Sequence, residues 1–308
     1  MPDFAFASCL PGVEPAVKLE VARDRSDLAF AYSRPGLVTF KATREIAPDD
    51  SPGSVFARVW GRSLGKIEGA SSIPTADCIH VFARDPDVET DLSAWPPSAI
   101  AQPGQLVADV IVAPGEPAWL GVHRHDPSRS PHPGGAFPVD MPADSPSRAY
   151  AKIEEAIAWA KLPVAAGHVA LEIGAAPGGA VMALARRGLT VWGVDTGELA
   201  PQVLALPNVV HLAKKVGAVR WEELPPRIDW LLVDVNLAPQ VALHEISRLM
   251  PKLRDTLRGA VITLKMNDWA FVAELPKLVG RIRDLGLPDV RLRHLPSNRR
   301  EICAVALR

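Results

Sequence analysis

The chain has 308 residues and a formal net charge of -1, so overall charge argues neither for nor against a polyanionic partner. Its 48% hydrophobic and 22% charged residues suit a soluble protein with a large core, and about 100–200 residues per domain predicts two domains. Cys9, Cys78 and Cys303 are scattered with no Cys-x-x-Cys or His/Cys cluster, which indicates neither a disulfide framework nor a metal site. "MPDFAF" is not a leader of basic then apolar residues, and no apolar run approaches about 18 residues. The expectation is a cytoplasmic chain without a membrane anchor.

The first part, residues 1–140, reads as short strands separated by many Pro/Gly breaks, with few helical patterns. The strands are "VTFKA" (38–42), "SVFARVWG" (54–61), "CIHVFARD" (78–85) and "QLVADVIVA" (105–113). The stretch "HRHDPSRSPHPGGAFPVDMPADSPS" (123–147) lacks periodicity and reads as linker or surface loop, which places a domain boundary there. Its His123, Arg124, His125, Arg129, His132 and Arg148 could track phosphates; the plain alternative is a solvated linker.

Residues 141–308 alternate strands and helices. The helical "SRAYAKIEEAIAWAK" precedes the strand "HVALEIG" (168–174), and "GGAVMALARRG" follows it. Further strands are "LTVWGVD" (189–195), "NVVHLA" (208–213), "IDWLLVDV" (228–235), "GAVITLKM" (259–266), "VRLRHL" (290–295) and "REICAVAL" (300–307). Two more helical patterns, "APQVALHEISRLMPKLRD" and "AFVAELPKLVGRIRDLG", lie between them. Continuous apolar strands alternating with helices predict a mostly parallel, doubly wound α/β sheet. The short connection between the last two strands predicts a closing antiparallel hairpin.

The turn "LEIGAAPGGA" joins the first of these strands to a helix. A phosphate-cradling P-loop would need a lysine and a hydroxyl residue after its last glycine, and neither follows Gly178–Gly179. A dinucleotide turn would need glycine at Ala176, and Pro177 stiffens the turn further. S-adenosylmethionine fits better, because Gly174 lets a ligand lie across the strand end and Gly178–Gly179 offer amides at a helix start. Asp195, 21 positions after Gly174, can accept hydrogen bonds from ribose hydroxyls. The plain alternative, a tight turn with no ligand, stays open on this motif alone.

Four polar residues fall at strand ends or beside them: Asp234 and Lys265 after apolar runs, Glu301 opening the last strand, and Lys152 on the preceding helix. Two lysines and two carboxylates gathered over a methyl donor suit methylation of an alcohol, whose proton must leave as the methyl is attacked. A lysine base needs a pKa lowered from about 10.4, and burial beside a second ammonium is expected to lower it.

Together, "SPSRAYAKIEEAI", "LEIGAAPGG", "GVDTGE", "DWLLVDVNLAP", "ITLKM" and "NRREICAVAL" resemble the FtsJ-like ribose 2′-O-methyltransferases. The resemblance implies a Rossmann-like methyltransferase domain over 141–308 with seven strands, mostly parallel, and a final antiparallel one. It implies a catalytic tetrad at Lys152, Asp234, Lys265 and Glu301, with Lys265 as general base. Gly174, Ala176, Pro177, Gly178, Gly179, Asp195 and Asp234 would hold S-adenosylmethionine, and no metal would be required. "FASCLPGVEPAV", "VFARVWG" and "WLGVHRHDPSRSPHPGGAFPVDMPADSPSRAYAKIEEA" look like the opening strand, THUMP-type segment and interdomain link of members acting on large-subunit rRNA. That implies a smaller, shortened α+β RNA-binding domain over 1–140 and RNA as the partner. Two departures stand out. Glu172 replaces the family's usual aspartate, and Lys215–Val216 stands where the family places an acid that contacts the adenine amino group. The rival readings are a non-catalytic RNA-binding or ribosome-assembly factor that kept the fold, and a small-molecule methyltransferase.

Overall fold

A computed structural model describes residues 3–308 of the chain. The chain divides into two compact units, the first ending at Phe137 and the second running from Pro138 to Arg308.

In the first unit, β1 (Asp3–Ser8), α1 (Glu14–Asp24), β2 (Leu28–Arg34), β3 (Leu37–Ala42), β4 (Val59–Ile67), β5 (Cys78–Ala83), β6 (Leu106–Val112) and β7 (Ala118–Arg124) follow in order. Among the described residues they form one seven-stranded sheet, β2-β3-β1-β4-β7-β6-β5, antiparallel except for the β5–β6 pair. Phe6, Leu37, Val59 and Ile111 make one of its cores. Gly121 is glycine for that core's sake: a Cβ there would stand 2.1 Å from the Phe6 ring.

The sequence expectation is corrected here in three places. The strand expected over 54–61 begins only at Val59, because Ser54 Oγ accepts from the Phe56 and Ala57 amides and bends the chain. The helix α1 and the strand β2, absent from the sequence reading, are both formed. The first half of the stretch read as linker is integral to the unit: His123 lies within β7 and is buried, as are His125 and Ser130, and Gly134 packs on Phe82.

The second unit contains α2 (Ala149–Ala160), β8 (Val169–Ile173), α3 (Gly179–Arg186), β9 (Thr190–Asp195), α4 (Pro201–Leu204), β10 (Val209–Ala213), β11 (Trp230–Val233), α5 (Pro239–Leu253), β12 (Gly259–Lys265), α6 (Leu275–Arg283), β13 (Asp289–Arg293) and β14 (Glu301–Leu307). Its strand order is β10-β9-β8-β11-β12-β14-β13. The five strands from β10 to β12 are parallel, while β14 runs antiparallel to both its neighbours. This is the expected mostly parallel, doubly wound α/β sheet with its reversed final strand.

Local chemistry explains the elements. All four residues of β11, "WLLV", are buried, as a central parallel strand requires. Along α5, Ala242, Leu243, Ile246, Leu249, Met250 and Leu253 form a buried stripe at helical spacing. At the opposite strand ends, buried Asp229 accepts from the Val169 amide opening β8 and from Arg227 and Arg258. Burial alone would raise its pKa; those partners outweigh it and hold it at about 2.

Candidate active site

Ligand sites in open parallel sheets lie beyond the carboxyl ends of the strands, where chain direction switches. At those ends a cleft of about 840 Å³ is bounded by the ends of β8, β9 and β11, the 3₁₀ turn Val216–Ala218 and the start of α5. Gly174, Ala176, Asp195 and Asp234 line it. Gly174 has a φ of +86°, and a Cβ on it would stand 2.2 Å from the Asp234 carbonyl oxygen, so only glycine lets β8 and β11 end side by side. Asp195 is held at the end of β9, its carboxylate accepting from the Ala176 amide at 3.0 Å and the Gly197 amide at 2.8 Å.

Pro177, Gly178 and Gly179 are not among the cleft's lining residues. Both glycines are buried, and the packing accounts for them: a Cβ on Gly178 would press on Val203, and one on Gly179 on Ser147.

Lys152, Asp234, Lys265 and Glu301 meet in one cluster at the same strand ends. Lys152 Nζ donates to Asp234 Oδ2 at 2.9 Å and also pairs closely with Glu301. Lys265 Nζ donates to Asp234 Oδ1 at 2.9 Å and to Glu301 Oε2 at 2.6 Å. Each ammonium thus bridges both carboxylates, and charge alternates around a closed ring. The sheet register places two members, since Lys265 at the end of β12 pairs directly with Glu301 at the start of antiparallel β14. Lys152 is brought in by α2, whose Ile153, Ala156, Ile157 and Ala160 are buried. Buried Glu155 fastens that helix by accepting from the Ser297 amide and hydroxyl, both at 2.8 Å, just ahead of β14. Sequence reading missed Glu155; its only signal was a carboxylate inside the apolar stripe of α2.

The electrostatics correct one expectation. Burial would depress the Lys265 ammonium, but Glu301 and Asp234 outweigh it and raise its pKa above the ordinary lysine value. The second ammonium does not lower it, because two carboxylates stand between the lysines. Burial would likewise raise Asp234, yet Lys152 and Lys265 hold it below the usual carboxylate range. Under the cluster a cavity of about 30 Å³, room for roughly one water, is lined by Lys152, Asp234 and Glu172 among others. Glu172 is 2% exposed, and its Oε2 has no hydrogen-bond partner. Burial first, then the charges of Asp234 and Asp195, raise its pKa well above the usual value.

Among the described residues, no group of three or more His, Cys, Asp or Glu could hold a metal ion, and no helix is long and apolar enough to cross a membrane. His123 and His125 are buried, and Arg129 donates to Asp126 and to the Trp60 and Asp50 carbonyls, so these three do not present free charge to phosphates.

A protein from Halorhodospira halophila, "Ribosomal RNA large subunit methyltransferase M", is 31% identical over 295 residues, covering 84% of this chain and 83% of that protein. The chain belongs to the ribosomal RNA large subunit methyltransferase M family. Proteins of the same name from Azoarcus sp. (strain BH72) and Alkalilimnicola ehrlichii are 30% and 34% identical, over 67% and 59% of this chain. The matches span only 57% and 51% of those two proteins, little more than half their length. No family model matches the chain.

Proposed function

We propose that the protein is an S-adenosylmethionine-dependent RNA ribose 2′-O-methyltransferase acting on large-subunit rRNA, with Lys265 as the general base. The observation that carries this reading is the alternating ring of Lys152, Asp234, Lys265 and Glu301, with Asp234 also lining the adjoining cleft. Family membership supports it, and so does the cleft itself, whose Asp195 carboxylate suits a ribose diol. S-adenosylmethionine supplies an electrophilic methyl group; the chain's task is to place and deprotonate the attacking hydroxyl.

Lys265 must lose its ammonium proton before it can take one from a ribose hydroxyl. Asp234 and Glu301 both strengthen its hold on that proton. A substrate hydroxyl that donates to either carboxylate weakens its hold on the Lys265 proton, while Lys152 keeps both carboxylates in place. Rate should therefore rise with pH through neutrality, toward a limb above the ordinary lysine value. Glu301→Gln removes one restraint on the proton and should shift the limb to lower pH. A profile unchanged by that variant would show that the base lies elsewhere.

The N-terminal unit is the RNA-binding part in this reading. In it Tyr32 and Trp119 stack with ring centroids 5.7 Å apart, and Arg34 and Lys66 lie 5.3 and 5.8 Å from the Tyr32 ring. Aromatic faces beside cations suit single-stranded RNA.

The deciding experiment pairs Lys265→Ala with calorimetry. Transfer to rRNA should fall by about 10²- to 10⁴-fold or more while S-adenosylmethionine binding stays near wild type. Retained turnover would remove Lys265 from its role. A wild-type protein that binds no cofactor at millimolar concentration would favour the non-catalytic RNA-binding factor instead.

A further inference from the structure

The cleft beside the ring has an end that the reading so far leaves unused. Where α5 meets the Val216–Ala218 turn, the lining turns apolar: Val216, Leu237 and Val241 contribute to it. Leu237 and Val241 are 38% and 47% exposed, unusual for large aliphatic side chains gathered in a concavity. Apolar walls of this kind suit a heteroaromatic ring. Such a ring, if it is adenine, carries an exocyclic amine whose protons need an acceptor.

Three carboxylates line the cleft, Asp195, Asp234 and Glu245. Asp234 is taken by the two lysines, and Asp195 sits at the strand end suited to the ribose. Glu245 stands one helical turn beyond Val241 on α5, so the two share a face. Its Oε2 lies 3.6 Å from the position a Cβ would occupy on Gly217. Arg248 fixes it there, donating to Oε2 at 3.0 Å through Nη1 and to the Gly217 carbonyl at 3.4 Å through Nη2. The turn after β10 supplies Lys214 and Lys215, which bring donors rather than acceptors.

We propose that Glu245 is the specificity residue that accepts the adenine amino group of the methyl donor, in a slot walled by Val216, Leu237 and Val241. The assignment rests on the methyltransferase reading above. It makes α5, rather than the segment after β10, the source of the acidic contact. It also makes the neighbouring arginine a positioning residue, since it holds both the carboxylate and the turn that faces it.

The test measures binding of S-adenosylhomocysteine and of its inosine counterpart, in which a carbonyl oxygen replaces the amine, to the full chain by calorimetry. Wild type should prefer the adenosyl compound by about 10- to 100-fold, the worth of a hydrogen bond to a charged group. Glu245→Ala should weaken the adenosyl compound by that factor and leave the inosyl compound unchanged. Glu245→Gln keeps size and shape while its amide can serve either ligand, so the preference should narrow with adenosyl binding partly kept. Unchanged adenosyl affinity in Glu245→Ala, or equal weakening of both compounds in both variants, overturns the assignment. Binding of neither compound by wild type overturns the methyltransferase reading itself, and Glu245's role with it.

Discussion

Each unit contains a cluster of carboxylates and bases, and the two clusters differ in access to water. In the N-terminal sheet, Asp109 lies 2.5 Å from His123 Nδ1 and 3.6 Å from His80 Nδ1, and the three are 0%, 3% and 1% exposed. In the second unit the ring of Lys152, Asp234, Lys265 and Glu301 keeps 10–20% of each side chain exposed. Sealed charge serves the fold, since nothing can reach it. Charge left ajar at strand ends can exchange partners with a substrate. On the proposed reading, that difference in exposure separates a structural cluster from a chemical one.

The largest effect that could break this contrast is on stability. Asp109→Ala leaves the histidines without their carboxylate, and should cost about 3–5 kcal/mol in chemical denaturation. A loss below about 1 kcal/mol would show that the cluster is not sealed. Burial would raise Asp109's pKa, but His123 and His80 outweigh it and lower it from 3.8. Its contribution is therefore complete above pH 3.8 and is lost as pH falls further.

Lys152→Ala probes the open cluster by the same measurement. Water from the cleft can replace part of what Lys152 gives, and Lys265 still touches both carboxylates, so about 1–2 kcal/mol is expected. Methyl transfer should fall far more than stability does. A stability loss as large as that of Asp109→Ala would erase the distinction.

The smallest effect concerns Glu172, which is sealed like Asp109 but has no base beside it. Its folded pKa is raised by burial, so above pH 4.5 the unfolded chain sheds a proton that the folded chain keeps. Glu172 therefore costs stability increasingly as pH rises. Glu172→Gln should raise the melting temperature more at pH 8 than at pH 5, by about 2–4 °C for each kcal/mol relieved. An equal change at both pH values would mean that protonation is not involved.

The second unit was far more legible in the sequence than the first. Buried parallel strands announce themselves as apolar runs, and polar residues ending such runs, as at Asp234 and Lys265, stand out against them. The N-terminal sheet is antiparallel and short-stranded, so β2 and α1 gave weak periodicity. His123 and His125 were misread because the Pro- and Gly-rich surroundings hid β7, a strand the sequence reading did not find, which carries His123 into the sheet. Glu155 and Glu245 were invisible for a different reason: their partners, Ser297 and the cleft, come from distant segments that only folding brings near. The raised pKa of Lys265 was missed likewise, since the sequence brings two lysines and two carboxylates to the site but does not show that the carboxylates stand between the lysines.

The reversed direction of β14 has a consequence for how the protein comes to life on the ribosome that makes it. Parallel strands deliver their ends to the site, but β14 delivers its beginning, Glu301, against Lys265. A nascent chain that has folded β8 through β12 holds the cleft and three of the four charged groups, yet its ring stays open until Glu301 has emerged and β14 has slotted between β12 and β13. On the proposed reading, methyl transfer doubles as a seal of completion, and a chain truncated before that strand carries the pocket without the closed ring.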